Sequence, residues 1–194
     1  MVLDPQLLID PASGDAIVIA GVCKMPFDFQ PTLKGALVEL RPLRSHDAKE
    51  LLAVASDPLI WEQHPVRDRY KPLAFSAFFR ELLASQEALT AIDCKDGKIM
   101  GLSRFHGYNG QASEVEIGWT FLARSHWGGK YNREMKRLML QHAFRFVKRV
   151  IFLISPQNVR SQKAIEKLGG LRVGSRPDAD GRDSYLYEIT SLFP

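Results

Sequence analysis

Cysteine is nearly absent: the 194 residues hold only Cys23 and Cys94. Two thiols so placed make neither a metal knuckle nor a disulfide framework, which suits a reducing compartment and predicts a cytoplasmic protein. No apolar run is long enough to cross a bilayer. The apolar stretch at residues 16–22 is not preceded by the basic residues of a secretory signal. The five histidines, His46, His64, His106, His126 and His142, show no ligand spacing, so no metal is expected. Two phosphate-binding fingerprints also fail. Gly128 and Gly129 are followed by no third glycine, which excludes G-x-G-x-x-G. Tyr131 stands where a Walker A motif needs Ser or Thr after its lysine, here Lys130. Internal repeats and low-complexity tracts are missing too.

What is present is apolar residue enough for one good core, 45% of the chain, and an uneven charge. Residues 121–194 carry 14 Lys and Arg against 6 Asp and Glu, a balance of +8, whereas residues 1–120 carry 12 against 16, or −4. A basic half points to a polyanionic ligand. Nucleic acid is the weaker choice, because the chain has neither an aromatic RNA-reading signature nor a helix-turn-helix pattern. Part of the excess is simply solvated surface.

Residues 114–121 (EVEIGWTF) alternate as a strand does and then run into the turn residues at 125–129 (SHWGG). A helix follows, with Tyr131, Met135, Leu138, Met139, His142 and Phe146 on one stripe and Arg133, Lys136, Arg137 and Lys148 away from it. A glycine turn feeding a helix aims backbone N–H groups and the positive end of the helix dipole at one point, which suits a pyrophosphate. The design recurs. A β-rich run at 150–154 (VIFLI) leads to Asn158, a good N-cap, and to a helix with Ala164, Ile165 and Leu168 inward before Gly169 ends it. Residues 73–87 read as a further helix with Phe75, Phe78, Phe79, Leu82 and Leu83 on its apolar side. Residues 89–94 and 99–106 read as strands joined by a turn at 95–98 (KDGK).

The two motifs, residues 118–141 (GWTFLARSHWGGKYNREMKRLMLQ) and 155–170 (SPQNVRSQKAIEKLGG), closely resemble the GNAT superfamily of N-acyltransferases. The first matches its CoA-pyrophosphate signature and the second its N-x-x-S…K-L-G helix. With no tyrosine in that helix, the chain is similar to the branch containing the ribosomal-protein N-terminal acetyltransferases. The resemblance extends to residues 37–43 (LVELRPL), 45–52 (SHDAKELL), 57–61 (DPLIW) and 180–187 (DGRDSYLY). It implies an α/β (α+β) fold, a mixed and mostly antiparallel sheet flanked by helices in the order β-α-α-β-β-β-α-β-α-β-β, as one domain over residues 31–194. Residues 1–30 fit no family element and are read as an N-terminal extension of unknown role; Met25 opens a segment (MPFD) at which such a domain could begin. Two positions depart from the pattern. Lys130 replaces the usual second glycine, so it must be helical or rearrange the turn, and its ammonium could reach a CoA phosphate. Ser125 replaces the usual Gln or Arg three residues before the first glycine, with Arg124 beside it.

The resemblance implies acetyl-CoA as co-substrate, no metal, and direct attack on the thioester by a primary amine of a protein N-terminus or a small molecule. CoA would be held by Trp119, Thr120, Phe121, Arg124, Trp127, Gly128, Gly129, Lys130, Tyr131, Asn132, Asn158, Ser161 and Lys163. Glu116 is the first candidate for a base acting through water, with Glu114 as alternate and a solvent-facing strand pair as the plain reading. Backbone N–H groups around residues 119–121 would polarise the thioester oxygen. Ser161 would protonate or hydrogen-bond the leaving sulfur, since the tyrosine acid of other branches would fall at Ile165; helix capping is its plain alternative. Trp61, His64, Tyr185 and Tyr187 are candidates for the acceptor cleft, with core packing as the equal reading of these aromatics, and His106 is the histidine to test. A CoA-binding interaction module without catalysis is the second reading. A homodimer is left open, and neither a membrane nor a nucleic-acid partner is expected.

Overall fold

The structure, a computed structural model, describes residues 7–9, 16–18 and 26–192. Within the N-terminal stretch, β1 (Leu7–Ile9) and β2 (Ala16–Val18) pair antiparallel as a small sheet of their own. The rest runs β3 (Leu33–Lys34), β4 (Val38–Pro42), α1 (Ala48–Ala55), α2 (Pro72–Ser85), β5 (Ala88–Asp93), β6 (Ile99–Asn109), β7 (Glu114–Leu122), α3 (Lys130–Ala143), β8 (Arg149–Ile154), α4 (Val159–Glu166), β9 (Leu171–Pro177) and β10 (Asp183–Ile189). From β4 onward this is the expected order, with the two-residue β3 added in front. Eight strands form one sheet in the order β3-β4-β5-β6-β7-β8-β10-β9. Every pairing in it is antiparallel except β7 with β8.

Local chemistry explains the helices. Pro72 opens α2, where its missing N–H costs nothing, and Gln86 closes it in the left-handed conformation at φ 53°. Between these, Phe75, Phe78, Phe79 and Leu82 recur at helical spacing and are buried. Buried Asp47 fixes the entry to α1. It accepts from both Arg41 guanidinium ends (2.8 and 2.7 Å), the Arg44 N–H (2.9 Å) and the Thr90 hydroxyl (2.8 Å), joining β4, β5 and the helix.

Alternation along the strands supplies two cores. Leu40, Phe105, Val115 and Ile117 face α3 and α4, meeting Met135, Met139 and Ile165. Leu102 and Phe121 face the other way, toward Leu51, Trp61 and Phe75. The segment before residue 31 enters the first core. Phe27, 6% exposed, packs on Phe105, Tyr108, His142 and Phe146, and His142 Nε2 lies 2.7 Å from the Asp28 carbonyl oxygen.

The parallel pair is brief. β7 and β8 share only Glu114↔Arg149, Val115↔Val150 and Glu116↔Ile151, after which β7 stays with β6 and β8 with β10. Between Leu102↔Phe121 and Arg104↔Gly118, β7 carries one residue more than β6, a bulge with Trp119 at φ 52°. Gly101 makes this crossing possible: at φ 156°, a Cβ there would lie 2.0 Å from the Phe121 carbonyl oxygen. Gly101→Ala must therefore push two backbones apart. The expected cost is about 3 kcal/mol, a melting temperature lower by roughly 6–12 °C in a thermal scan. A shift below about 2 °C would show that the strands can part freely at this point.

Candidate active site

Where β7 and β8 separate, a cleft of about 550 Å³ opens between them, bounded by the starts of α3 and α4, residues 60–69 and the β9–β10 turn. One end is a turn with no side chain to spare. Gly128 (φ 96°) and Gly129 (φ 114°) are both left-handed, and Gly129 is the N-cap of α3, offering no side-chain acceptor to the first-turn N–H groups. A Cβ on either glycine would meet nothing within 4 Å, so space stands open over those amides. This donor set fits a pyrophosphate. Lys130 opens the helix, the first of the two outcomes that its replacement of a glycine allows. The Trp127 indole N–H donates to the Leu122 carbonyl (3.0 Å), and the Arg160 guanidinium stacks 4.2 Å above that indole, joining the turn to α4. In α4 the cap is Asn158, whose Oδ1 accepts from the Ser161 N–H (3.1 Å). The Ser161 hydroxyl makes no hydrogen bond among the described residues and sits on the cleft wall.

Trp119, Thr120, Phe121, Trp127, Gly128, Gly129, Asn132, Asn158, Ser161 and Lys163 line the cleft together. Arg124, Lys130 and Tyr131, expected with them, do not. Arg124 is paired with Asp57, Tyr131 donates to Asp93 (3.2 Å), and the exposed Lys130 ammonium lies 5.5 Å from the Tyr131 ring. Trp61 and His64 are on the wall, but Tyr185 and Tyr187 are not. Strand alternation turns both tyrosines to the α3/α4 core, where the Tyr187 hydroxyl donates to Glu166 (3.0 Å), and turns Ser184 to the cleft instead. His106 is outside the cleft, bound to Glu87 (3.0 Å) and edge-on to Trp119.

The two glutamates differ sharply, and neither faces solvent. Glu114 lies between Arg149 (2.5 Å) and Arg176 (3.0 Å), which overcome its burial and hold its pKa below the usual carboxylate range. Such a group is locked in place. Glu116 is 8% exposed and has no such pair. Burial pushes its pKa up to about 7; Arg104 opposes that and Asp178 adds to it. Gly118 makes room for it, since a Cβ there would approach Glu116 Oε1 to 3.1 Å.

Several wall residues were not foreseen. Arg69, Asp178, Asp180 and Arg182 come from loops, where no periodicity marks them. Lys136 was placed on the polar side of α3 yet is 3% exposed, with its ammonium bonded to the hydroxyls of Ser103 (3.1 Å) and Thr120. The signal was there: Leu140, Ala143 and Val147 follow it at four, seven and eleven residues, a buried helical row.

A side chain at Gly128 would fill the open space over the amides while straining the left-handed backbone. Gly128→Val is expected to lose roughly 1–3 kcal/mol of stability and, below its melting point, to bind CoA at least tenfold more weakly by calorimetry. Unchanged affinity would reduce the turn to a connector.

The fold is shared with known proteins. A family model described as the acetyltransferase (GNAT) domain matches residues 38–170. No match was found among curated proteins. Among solved structures, a GCN5-related N-acetyltransferase from Brucella melitensis is 20% identical, covering 85% of this chain and 80% of its own, with a TM-score of 0.71. A GNAT-family protein from Chromobacterium violaceum ATCC 12472 is 18% identical over 93% and 96%, with a TM-score of 0.76. Mycobacterium smegmatis RimJ, in complex with CoA-disulfide, is 22% identical over 79% and 82%, with a TM-score of 0.60. Those three share the fold; the family model spans well over half of the chain, which therefore belongs to the GNAT acetyltransferases, acetyl-CoA-dependent N-acetyltransferases.

Proposed function

We propose that this enzyme acetylates a primary amine, of a protein N-terminus or a small molecule, by direct attack on acetyl-CoA with Glu116 as the base. The observation that carries the reading is a buried carboxylate without a locking cation, poised near neutrality where the two strands part. In this reading the α3 turn and the start of α4 hold the pyrophosphate, and the pantetheine arm lies along the separated edges of β7 and β8. Backbone N–H groups near Trp119 to Phe121 polarise the thioester oxygen, and the Ser161 hydroxyl hydrogen-bonds the departing sulfur. The acceptor enters from the α1/α2 side, past Trp61, His64, Arg69 and the β9–β10 turn. Asp178 and Asp180 there are paired with Arg182, and the proton of the approaching ammonium passes to Glu116. His64 is no rival base, because burial first, and then Arg69, pull its pKa down to about 3.

Thiol release from acetyl-CoA across a panel of free-N-terminus peptides and small primary amines tests the reading. Saturating CoA at about 100 times its dissociation constant should also add ~2.7 kcal/mol to stability. A base must be ionised to work, so the acid limb of wild-type turnover should rise with pH through a midpoint near 7. Glu116→Gln should lose that limb, run ~10²–10⁴-fold slower at neutral pH, and recover partly at high pH, where free amine forms unaided. Profiles for the two proteins that stay parallel within a factor of two would eliminate Glu116. Ser161→Ala should lower the maximal rate at every pH while keeping acetyl-CoA affinity; a change in melting temperature alone would leave it a purely structural role.

A further inference from the structure

Lys136 is a cation buried without a counter-ion. Its ammonium reaches the hydroxyls of Ser103 on β6 and Thr120 on β7, which themselves lie 2.7 Å apart, and it lies 5.8 Å from the Phe152 ring on β8. None of these three neighbours is charged, and no carboxylate pairs with Lys136 among the described residues. An ammonium has three N–H donors, so two hydroxyls leave one over, and the residue lines the cleft. Burying a cation this way is expensive, and an apolar residue would fit the Leu140, Ala143 and Val147 row better.

Its position suggests a use. The cleft runs through the sheet, and the two buried ionisable groups approach it from opposite faces. Glu116 alternates with Val115 and Ile117, which face α3, so its carboxylate belongs to the other side, where the acceptor loops are. Lys136 comes from α3 itself, the helix whose first turn, with that of α4, forms the CoA cradle. The sulfur therefore arrives on the lysine side.

Resting on the assignment of the cleft to CoA, we propose that the Lys136 ammonium receives the leaving sulfur, pairing with the CoA thiolate and protonating it. The amine nitrogen attacks the thioester carbon as its proton passes to Glu116. The C–S bond then breaks with its electron pair on sulfur, and an N–H proton of Lys136 moves to that sulfur, releasing CoA as the thiol. Glu116, having already passed the ammonium's proton to solvent, returns this second one too while Lys136 takes one up, so each turnover of an ammonium substrate releases one proton. Ser161 supplies a neutral hydrogen bond to the same sulfur but no proton it can readily give up. Burial alone draws the Lys136 pKa down to about 7, within range of a thiol near 8.5.

The test needs no acceptor. Calorimetry compares CoA with desulfo-CoA, which lacks the thiol, on the wild-type protein, Lys136→Met and Lys136→Gln, the last keeping hydrogen bonds to Ser103 and Thr120 without charge. Wild type should bind CoA at least tenfold more tightly than desulfo-CoA near pH 8, where the neutral Lys136 amine accepts a hydrogen bond from the thiol. Both variants should bind the two ligands equally and retain wild-type affinity for desulfo-CoA. Equal binding of the two ligands by wild type, or a preference surviving in either folded variant, would overturn the role of Lys136. Failure of both ligands to bind wild type would instead overturn the CoA site on which it rests.

Discussion

In the middle of a sheet, two parallel strands share three register positions and then part, leaving each with an open edge whose N–H and C=O groups need partners. The rest of the site follows from that separation. Because β7 and β8 run the same way, their C-terminal ends lie together, and the helices that follow begin side by side. Two helix N-termini thus converge at the mouth of a gap lined by backbone edges, a favourable place for a ligand with phosphates at one end and amide groups along its arm. The bulge at Trp119 and the close crossing at Gly101 keep β7 paired with β6 while it bends away from β8.

The same gap brings a carboxyl group and an amino group to a similar poise from opposite directions. Burial raises Glu116 from 4.5 to about 7 and lowers Lys136 from 10.5 to about 7. Both shifts weigh against the fold at neutral pH. The contribution of Glu116 is fully present below about 4.5 and is lost as pH rises through about 7; that of Lys136 is present above about 10.5 and is lost as pH falls through about 7. Glu114 shows the contrast two residues away, where paired arginines reverse the effect of burial and the carboxylate becomes a fixed strut.

Much of the fold could be read from the residues, because its elements rest on local signals. The stripe on α3, the Asn158 cap and the alternation of β7 all appear where periodicity put them, and from β4 on the element order is as expected. The glycine turn was legible for the same reason. What the sequence hid depends on three-dimensional placement. Lys136 looked solvated because lysine usually is, and only the row formed with Leu140, Ala143 and Val147 argues otherwise. Whether Tyr185 and Tyr187 belong to the cleft or to the core depends on which face of β10 turns inward, and that depends on how it pairs with β8. Arg69 and Asp178 lie in loops, whose course no pattern fixes.

The aromatic contacts of Phe27 reach beyond the N-terminus. Its ring covers Phe105 on β6, His142 at the end of α3 and Phe146 just beyond it, and Asp28 and Gln30 tie the strap to His142 and to the Gln86 carbonyl. A chain trimmed to residue 31, where family resemblance would start the domain, would therefore uncover an aromatic floor on the same helix that carries Lys136. Shortening this protein from the front thus puts at risk its solubility and the anchoring of the helix behind the cleft, although the residues removed lie outside the family pattern.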